Sequence, residues 1–337
     1  MTWTTAWKAL AEQVGSEPGW HTRRIYPESS CDLRAGIHMP DRTPGLILEL
    51  PGSFVSTRIQ LPQSKGVQHR IESLEPGPAG KKQIILQPRT SAYQGVFQVL
   101  AEDISQKIAA CTELRMVYRT IAARLRVWQQ FFKNADGGLS DAEIQGLFGE
   151  LTVLQDLLLP AAHPADVLDA WKGPDGGVHD FRFPRLALEV KSTVRHPPDS
   201  FTVSNLAQLH QEAVGTLFLC HVALVRDHPE GISLNRLVER VTEALATDQE
   251  ASALFHDQLL KAGYLAEDNS RFDAYVFHKL HLIAFEVAET FPRLTPADVP
   301  QGILDASYQI SYAALSPFKV ALSTVAAAIS REAPQHG

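Results

Sequence analysis

Asp180, Glu189 and Lys191 are the residues of this chain whose types and spacing could do chemistry together. They lie in the stretch Val178-His179-Asp180-Phe181-Arg182-Phe183-Pro184-Arg185-Leu186-Ala187-Leu188-Glu189-Val190-Lys191, which reads as a β-hairpin. Phe183 and Leu186 flank the Pro184-Arg185 corner, and a tight corner there sets Asp180 directly across from Glu189. Opposed side chains of an antiparallel pair have Cβ atoms about 4.5–5.5 Å apart, where like charges repel. A divalent cation shared between the carboxylates would relieve that repulsion. Lys191 falls two residues beyond Glu189 and therefore on the same face. Such a set suits hydrolysis of a phosphodiester.

Glu-x-Lys by itself carries little weight, because a chain of this length and average composition shows about one by chance. The context carries more. Leu186, Leu188 and Val190 alternate with Ala187, Glu189 and Lys191, so the charged residues share the face opposite the leucines. The competing account of this segment is an edge hairpin with one solvated polar face.

A helix must supply the third carboxylate. Ser140-Asp141-Ala142-Glu143 is a capping box, and Ile144, Leu147, Phe148, Leu151, Leu154 and Leu158 follow it at helical spacing. Glu150 sits on the border of that apolar stripe, where an ordinary boundary glutamate is the plain alternative. Gly146 and Gly149 flank it, each costing about 1 kcal/mol in a helix interior. Close approach of this helix to a neighbouring backbone is the expected return. A literal Pro174-Asp175 offers a rival acid, but Gly173-Pro174-Asp175-Gly176-Gly177 reads as a turn, and Asp180 lies in pairing register with Glu189.

The order helix-Glu150, strand-Asp180, strand-Glu189-Val190-Lys191 resembles the PD-(D/E)XK nuclease superfamily. Gly146-Leu147-Phe148-Gly149-Glu150-Leu151, Trp171-Lys172-Gly173, His179-Asp180-Phe181 and Leu188-Glu189-Val190-Lys191-Ser192-Thr193 are similar to a bacterial family of PD-(D/E)XK proteins often encoded in restriction or phage-defence loci. The likeness extends to Phe291-Pro292-Arg293 and Tyr308-Gln309-Ile310, with His179 standing where the superfamily has Pro. It implies an α/β (α+β) restriction-endonuclease-like core, a central mixed sheet flanked by helices. It also implies Mg²⁺, with Mn²⁺ as a substitute, held by Asp180, Glu189 and the Val190 carbonyl, with Glu150 contributing directly or through water. Lys191 would orient the attacking water or stabilise phosphate charge. Ser204-Asn205-Leu206-Ala207-Gln208 resembles the start of the next helix and makes Gln208 a candidate near the phosphate, with a solvated helix glutamine as its alternative.

The elements around this core can be read from period and punctuation. Residues up to about Pro88 are β-rich, with strands expected at 34–39, 45–50, 67–74 and 82–86, and turns at Pro51-Gly52 and Pro76-Gly77-Pro78. A helical stretch from Gly95 to Phe132 follows, then a break at Asn134-Ala135-Asp136-Gly137-Gly138. The apolar run Ala213–Val225 reads as a buried central strand, Leu234–Ala246 as an amphipathic helix. Strand-like segments at 275–278 and 308–312 and a final helix from about Lys319 complete the chain. The expected organisation is a β-rich N-terminal domain (1–112), a helical connector (113–139), the nuclease-like core (140–265) and a C-terminal α/β extension (266–337).

Composition narrows the class. At 337 residues with 45% hydrophobic and 20% charged content, the chain has ample core for a globular protein. Three scattered cysteines argue against a disulfide framework, and the absence of a signal sequence or a bilayer-length apolar run points to the cytoplasm and away from membranes. His278 and His281 stand three apart without a third ligand or a base at metalloprotease spacing, so structural or surface roles are expected. No Walker loop, dinucleotide glycine pattern or nucleophile elbow occurs.

The net charge of −7 sits awkwardly with DNA binding, which needs a basic footprint. From Arg58 to Lys133, however, there is an excess of roughly seven positive charges, either a nucleic-acid field or scattered surface charge. Two readings follow: a Mg²⁺-dependent DNA endonuclease of a restriction or phage-defence system, or a non-catalytic nucleic-acid-binding or assembly subunit of a defence complex. A small-molecule hydrolase with the same metal site is a distant third. DNA and defence-system proteins are the expected partners, and double-strand cutting would need a homodimer or a partner's second site.

Overall fold

The computed structural model describes residues 1–333 apart from 14, 16, 56–58, 75–79, 135–138, 195–199, 211–214 and 267–268. The expected turn at Pro76-Gly77-Pro78 and most of the break at 134–138 lie outside those residues. The chain divides into two compact units, Met1–Lys133 and Asn134–Gly337.

The first unit holds helix α1 (Trp3–Gln13), strands β1 (Gly19–Ile25), β2 (Asp32–Met39), β3 (Thr43–Pro51), β4 (Val67–Ser73) and β5 (Lys81–Pro88), then α2 (Gln94–Ala109) and α3 (Leu114–Asn134). The strands form one antiparallel sheet in the order β1-β2-β3-β5-β4. Leu46, Ile47 and Leu48 in its middle strand are buried on both faces. Trp3 seats α1 by donating its indole N–H to the Gly45 carbonyl at 3.1 Å. Added Cβ atoms at Gly36 and Gly45 would lie 3.0 and 2.4 Å from the Trp20 ring, so glycine is what lets that ring lie on the sheet. The helical stretch expected as one element is two helices, interrupted at 110–113.

The second unit contains α4 (Asp141–Val153), α5 (Pro164–Ala170), β6 (Phe181–Arg182), β7 (Leu186–Thr193), β8 (Ser200–Val203), β9 (Thr216–Arg226), β10 (Ile232–Ser233), α6 (Leu234–Leu245), α7 (Gln249–Lys261), α8 (Asn269–Asp273), β11 (Val276–Glu286), β12 (Tyr308–Ser311), β13 (Lys319–Val320) and α9 (Leu322–Glu332). It is a mixed α/β arrangement. The main sheet runs β10-β11-β9-β7-β6, with β13 on β11 and a separate β12–β8 pair. Only β7 and β9 are parallel among its named pairs. The apolar run read as a central strand is β9, buried between β7 and β11 from Leu217 to Leu224.

Helix α4 opens with the expected capping box: Ser140 Oγ accepts the Glu143 N–H while the Glu143 carboxylate accepts the Ser140 N–H at 2.7 Å. Its continuation at 154–158 widens into a π turn and keeps Leu154, Leu157 and Leu158 in the core. No helix among the described residues is long and apolar enough to cross a membrane. Cys31, Cys111 and Cys220 are free thiols.

Candidate active site

Phe183 donates its N–H to the Leu186 carbonyl at 2.8 Å and closes the hairpin over Pro184-Arg185 alone. Proline suits this two-residue corner because its fixed φ favours turns. Phe181 then pairs with Leu188 and Arg182 with Ala187, which extends to Asp180 opposite Glu189. The ladder itself stops at Phe181. The Asp180 carbonyl turns to accept N–H groups from Lys172 (2.7 Å) and Gly173 (3.0 Å), while its Oδ2 takes the Val190 N–H at 2.7 Å. A side-chain oxygen therefore replaces a backbone carbonyl at the rung where the strands part.

Glu150 reaches the same place from α4. Trp171 donates its indole N–H to Glu150 Oε2 at 2.6 Å and fixes that carboxylate. A Cβ on Gly173 would stand 2.5 Å from Glu150 Oε2 and 3.3 Å from Asp180 Oδ1, so both acids converge on the space a side chain there would fill. Gly149 meets the expectation of close approach, since its Cβ would lie 2.9 Å from the Ser192 Cβ on β7. Gly146 does not: nothing lies within 4 Å of its Cβ position. Gln145 locks the helix to the strand by donating to the Ser192 carbonyl at 2.7 Å and accepting from Ser192 Oγ at 3.1 Å.

The charges are buried and crowded. Glu189 is 2% exposed; its Oε1 lies 2.8 Å from Lys191 Nζ, and its Oε2 is buried with no hydrogen-bond partner. Burial, then the nearby Asp180 charge, pushes Glu189 up to about 8 against the pull of Lys191. Burial raises Asp180 to about 6, opposed by the Val190 N–H and Lys191. Desolvation and the Asp180 charge hold Glu150 well above the usual carboxylate range, while the Trp171 N–H works the other way. Three acids share the single cation Lys191 among the described residues of this cluster, so a second positive charge is what would balance them. Residues of a strand direct N–H and C=O to the same side, so the Val190 carbonyl opens on the edge where Asp180 meets Val190. That carbonyl, Glu189 Oε2 and Asp180 Oδ1 are oxygen donors of the kind a hard divalent cation takes.

Lys191 is held from the other side by Gln208, whose Oε1 accepts from Nζ at 3.1 Å and from the Ser204 N–H at 2.8 Å. Gln208 thus belongs to the cluster, but the expected helix start is a turn over 205–209. Asn205 Oδ1 accepts the Ala207 and Gln208 N–H groups, both at 3.1 Å, and closes that turn as a capping side chain would open a helix. The rival Asp175 sits in a short 3₁₀ turn and pairs with Lys261 at 2.8 Å.

Trp171, Gly173, Gln145 and Ser192 were given no site role by the reading of the sequence. No periodicity marks them; their value lies in contacts across 21 to 47 residues. His278 and His281 also separate into different clusters: the ring of His281 lies beside His221, centroids 6.0 Å apart. His278 stacks instead on His228, ring centroids 4.4 Å apart, and Glu230 brings a carboxylate within 4.8 Å of both. His228 Nδ1 accepts the Glu230 N–H at 3.2 Å, which commits that ring to closing its own turn.

A family model described as "Putative PD-(D/E)XK family member" (DUF4420) matches residues 3–313. No curated protein and no solved structure gives a match. With nearly the whole chain covered, the protein belongs to that family.

Proposed function

We propose that this member of the PD-(D/E)XK family is a divalent-metal-dependent DNA endonuclease, with Mg²⁺ the working ion and Mn²⁺ a substitute. The observation that carries the reading is the buried Glu189 carboxylate, which shares one oxygen with Lys191 and leaves the other without a donor beside Asp180. A carboxylate oxygen buried without a partner is costly, and a bound cation removes that cost.

Asp180, Glu189 and the Val190 carbonyl would hold the ion, with Glu150 reaching it directly or through a water. Bound there, it would polarise a phosphodiester and lower the pKa of a water. The chain's own groups define the rest. Lys191 Nζ, pinned between Glu189 Oε1 and Gln208 Oε1, presents its ammonium beside the carboxylates, where it can orient the attacking water and offset charge on the phosphate oxygens. Attack by that water at phosphorus breaks one P–O ester bond and leaves a phosphomonoester and an alcohol. Glu150 keeps its position through Trp171, and Asp180 through the Val190 N–H, so both carboxylates are set before substrate arrives.

Supercoiled plasmid incubated with the protein and Mg²⁺ or Mn²⁺ tests this reading. Nicking or linearisation that disappears with chelator and with Asp180→Ala is expected. Absence of cleavage by the wild type on plasmid, linear duplex and single strands alike would overturn it. A part in restriction or phage defence, with defence proteins as partners, is supported by the family resemblance alone. Phage plating that responds to the wild type but not to Asp180→Ala would establish it.

A further inference from the structure

The basic stretch noted in the sequence resolves on α3 into an ordered stripe. Arg115, Arg119, Arg126 and Lys133 are all exposed and follow one another at four, seven and seven residues. At 100° and 1.5 Å per residue they fall within about 40° of one another over about 27 Å. The helix Leu114–Asn134 contains no acid to interrupt them. Arg124, the remaining cation of this helix, is different: it is buried and paired with Asp103 at 2.8 Å, so it belongs to the core.

The stripe is unfavourable for the helix that carries it. Arg115 and Arg119 are like charges at i, i+4, and Arg115 stands in the first turn, where the helix dipole disfavours a cation. Only Arg115 has a local counter-charge, Glu113, just ahead of the helix. No ion pair or hydrogen bond ties Arg119, Arg126 or Lys133 among the described residues. Near the C-terminal half, Gln129 donates to the Gln63 carbonyl, and exposed Arg89 donates to Gln63 Oε1 at 3.1 Å, which adds a fifth cation alongside.

We propose that this face of α3 is a nucleic-acid surface that engages the phosphate backbone of a DNA duplex without reading its sequence. Four aligned cations over about 27 Å match the phosphates of roughly eight base pairs at 3.4 Å of rise per strand. The choice of DNA as the polyanion rests on the nuclease reading. Side chains that bind phosphate fix position and affinity rather than sequence.

The test is the salt dependence of binding of a fluorescent duplex by the full chain in chelator, where hydrolysis cannot intervene. Each phosphate contact contributes about 0.9 to the slope of log K against log salt. The triple variant Arg119→Ala, Arg126→Ala, Lys133→Ala should lower the slope by about 2.7, and the wild type should weaken about forty-fold more than the variant between about 50 and about 200 mM salt. Alanine favours the helix, and matched melting curves exclude misfolding. Removing two exposed cations of the other unit, Arg240→Ala with Arg331→Ala, should leave the slope unchanged. Equal slopes for wild type and triple variant, or no duplex binding by the wild type, would overturn the proposal. So would tighter binding of polyglutamate than of duplex, which would assign the face to an acidic protein. Duplex binding with the expected slopes but no metal-dependent cleavage would remove the nuclease reading and leave the stripe standing.

Discussion

Asp180 accepts the backbone N–H of Val190 at 2.7 Å, one residue past its cross-strand neighbour Glu189. A single carboxylate thereby closes the last rung of the β6–β7 ladder and faces the second acid. Structure and chemistry can be separated by substitution. Asp180→Asn keeps an oxygen for Val190 and loses only the charge, so cleavage should fall by at least about 100-fold with stability nearly unchanged. Asp180→Ala should lose the activity and also about 1–3 kcal/mol, because the Val190 N–H is left without its partner. Plasmid cleavage read beside urea denaturation distinguishes the two. Equal stability of both variants would show that the hydrogen bond is incidental.

The crowding of acids sets a pH dependence with a definite sign. Burial and the Asp180 charge push Glu189 up to about 8 in the fold, above the ordinary carboxylate 4.5 of the unfolded chain, so between those limits the folded chain holds a proton that the unfolded chain has released. Stability of the metal-free protein should therefore fall as pH rises from about 4.5 to about 8, then level. Glu189→Gln should shrink that fall to the share that the raised carboxyls of Asp180 and Glu150 contribute. Protons compete with a cation for the same oxygens, so the rise in melting temperature on adding Mn²⁺ should be larger at high pH than at low pH. A rise independent of pH would place the bound ion elsewhere.

Two glycines test how tightly α4 and the 171–173 segment are fitted. Gly173→Ala forces a methyl to 2.5 Å from Glu150 Oε2, displacing the carboxylate that Trp171 holds. A loss of about 1–3 kcal/mol and a roughly 10- to 100-fold fall in cleavage are expected. Gly146→Ala meets open space and should instead gain about 0.5–1 kcal/mol with cleavage unchanged. Thermal melts and plasmid cleavage on the pair decide it.

These contrasts also mark what was legible in the chain. The hairpin register was, because period-2 alternation and a proline corner are local signals, and the β9 core strand was, because its apolar run has no competing reading. Gly146 and Gly149 gave the same signal yet only one is pressed against β7, since phase around a helix depends on the partner and not on residue type. Asn205 misled for a related reason: an Asx side chain taking two N–H groups starts a helix or closes a turn with the same local chemistry. The Asp180 carbonyl leaves the ladder for Lys172 and Gly173, and that exchange has no local trace. Charge counts blurred the basic stretch as well, until Arg124 separated into the core with Asp103 and left an uninterrupted face.

Lys191 is placed by a residue of a turn, and this gives the last prediction. Gln208 Oε1 accepts both the Lys191 ammonium and the Ser204 N–H, so it couples the position of the cation to the closure of the 205–209 turn. As a positioning residue it should affect turnover more than binding. Gln208→Ala removes both bonds, and Lys191 then leans on Glu189 alone, drawn toward the carboxylate and away from the phosphate. Single-turnover cleavage should slow about tenfold, while the affinity for duplex, measured in chelator, changes little. Gln208→Glu restores an acceptor for both donors and should recover most of the rate. If affinity falls in step with rate, or if glutamate is no better than alanine, Gln208 serves only the turn and Lys191 needs no second support.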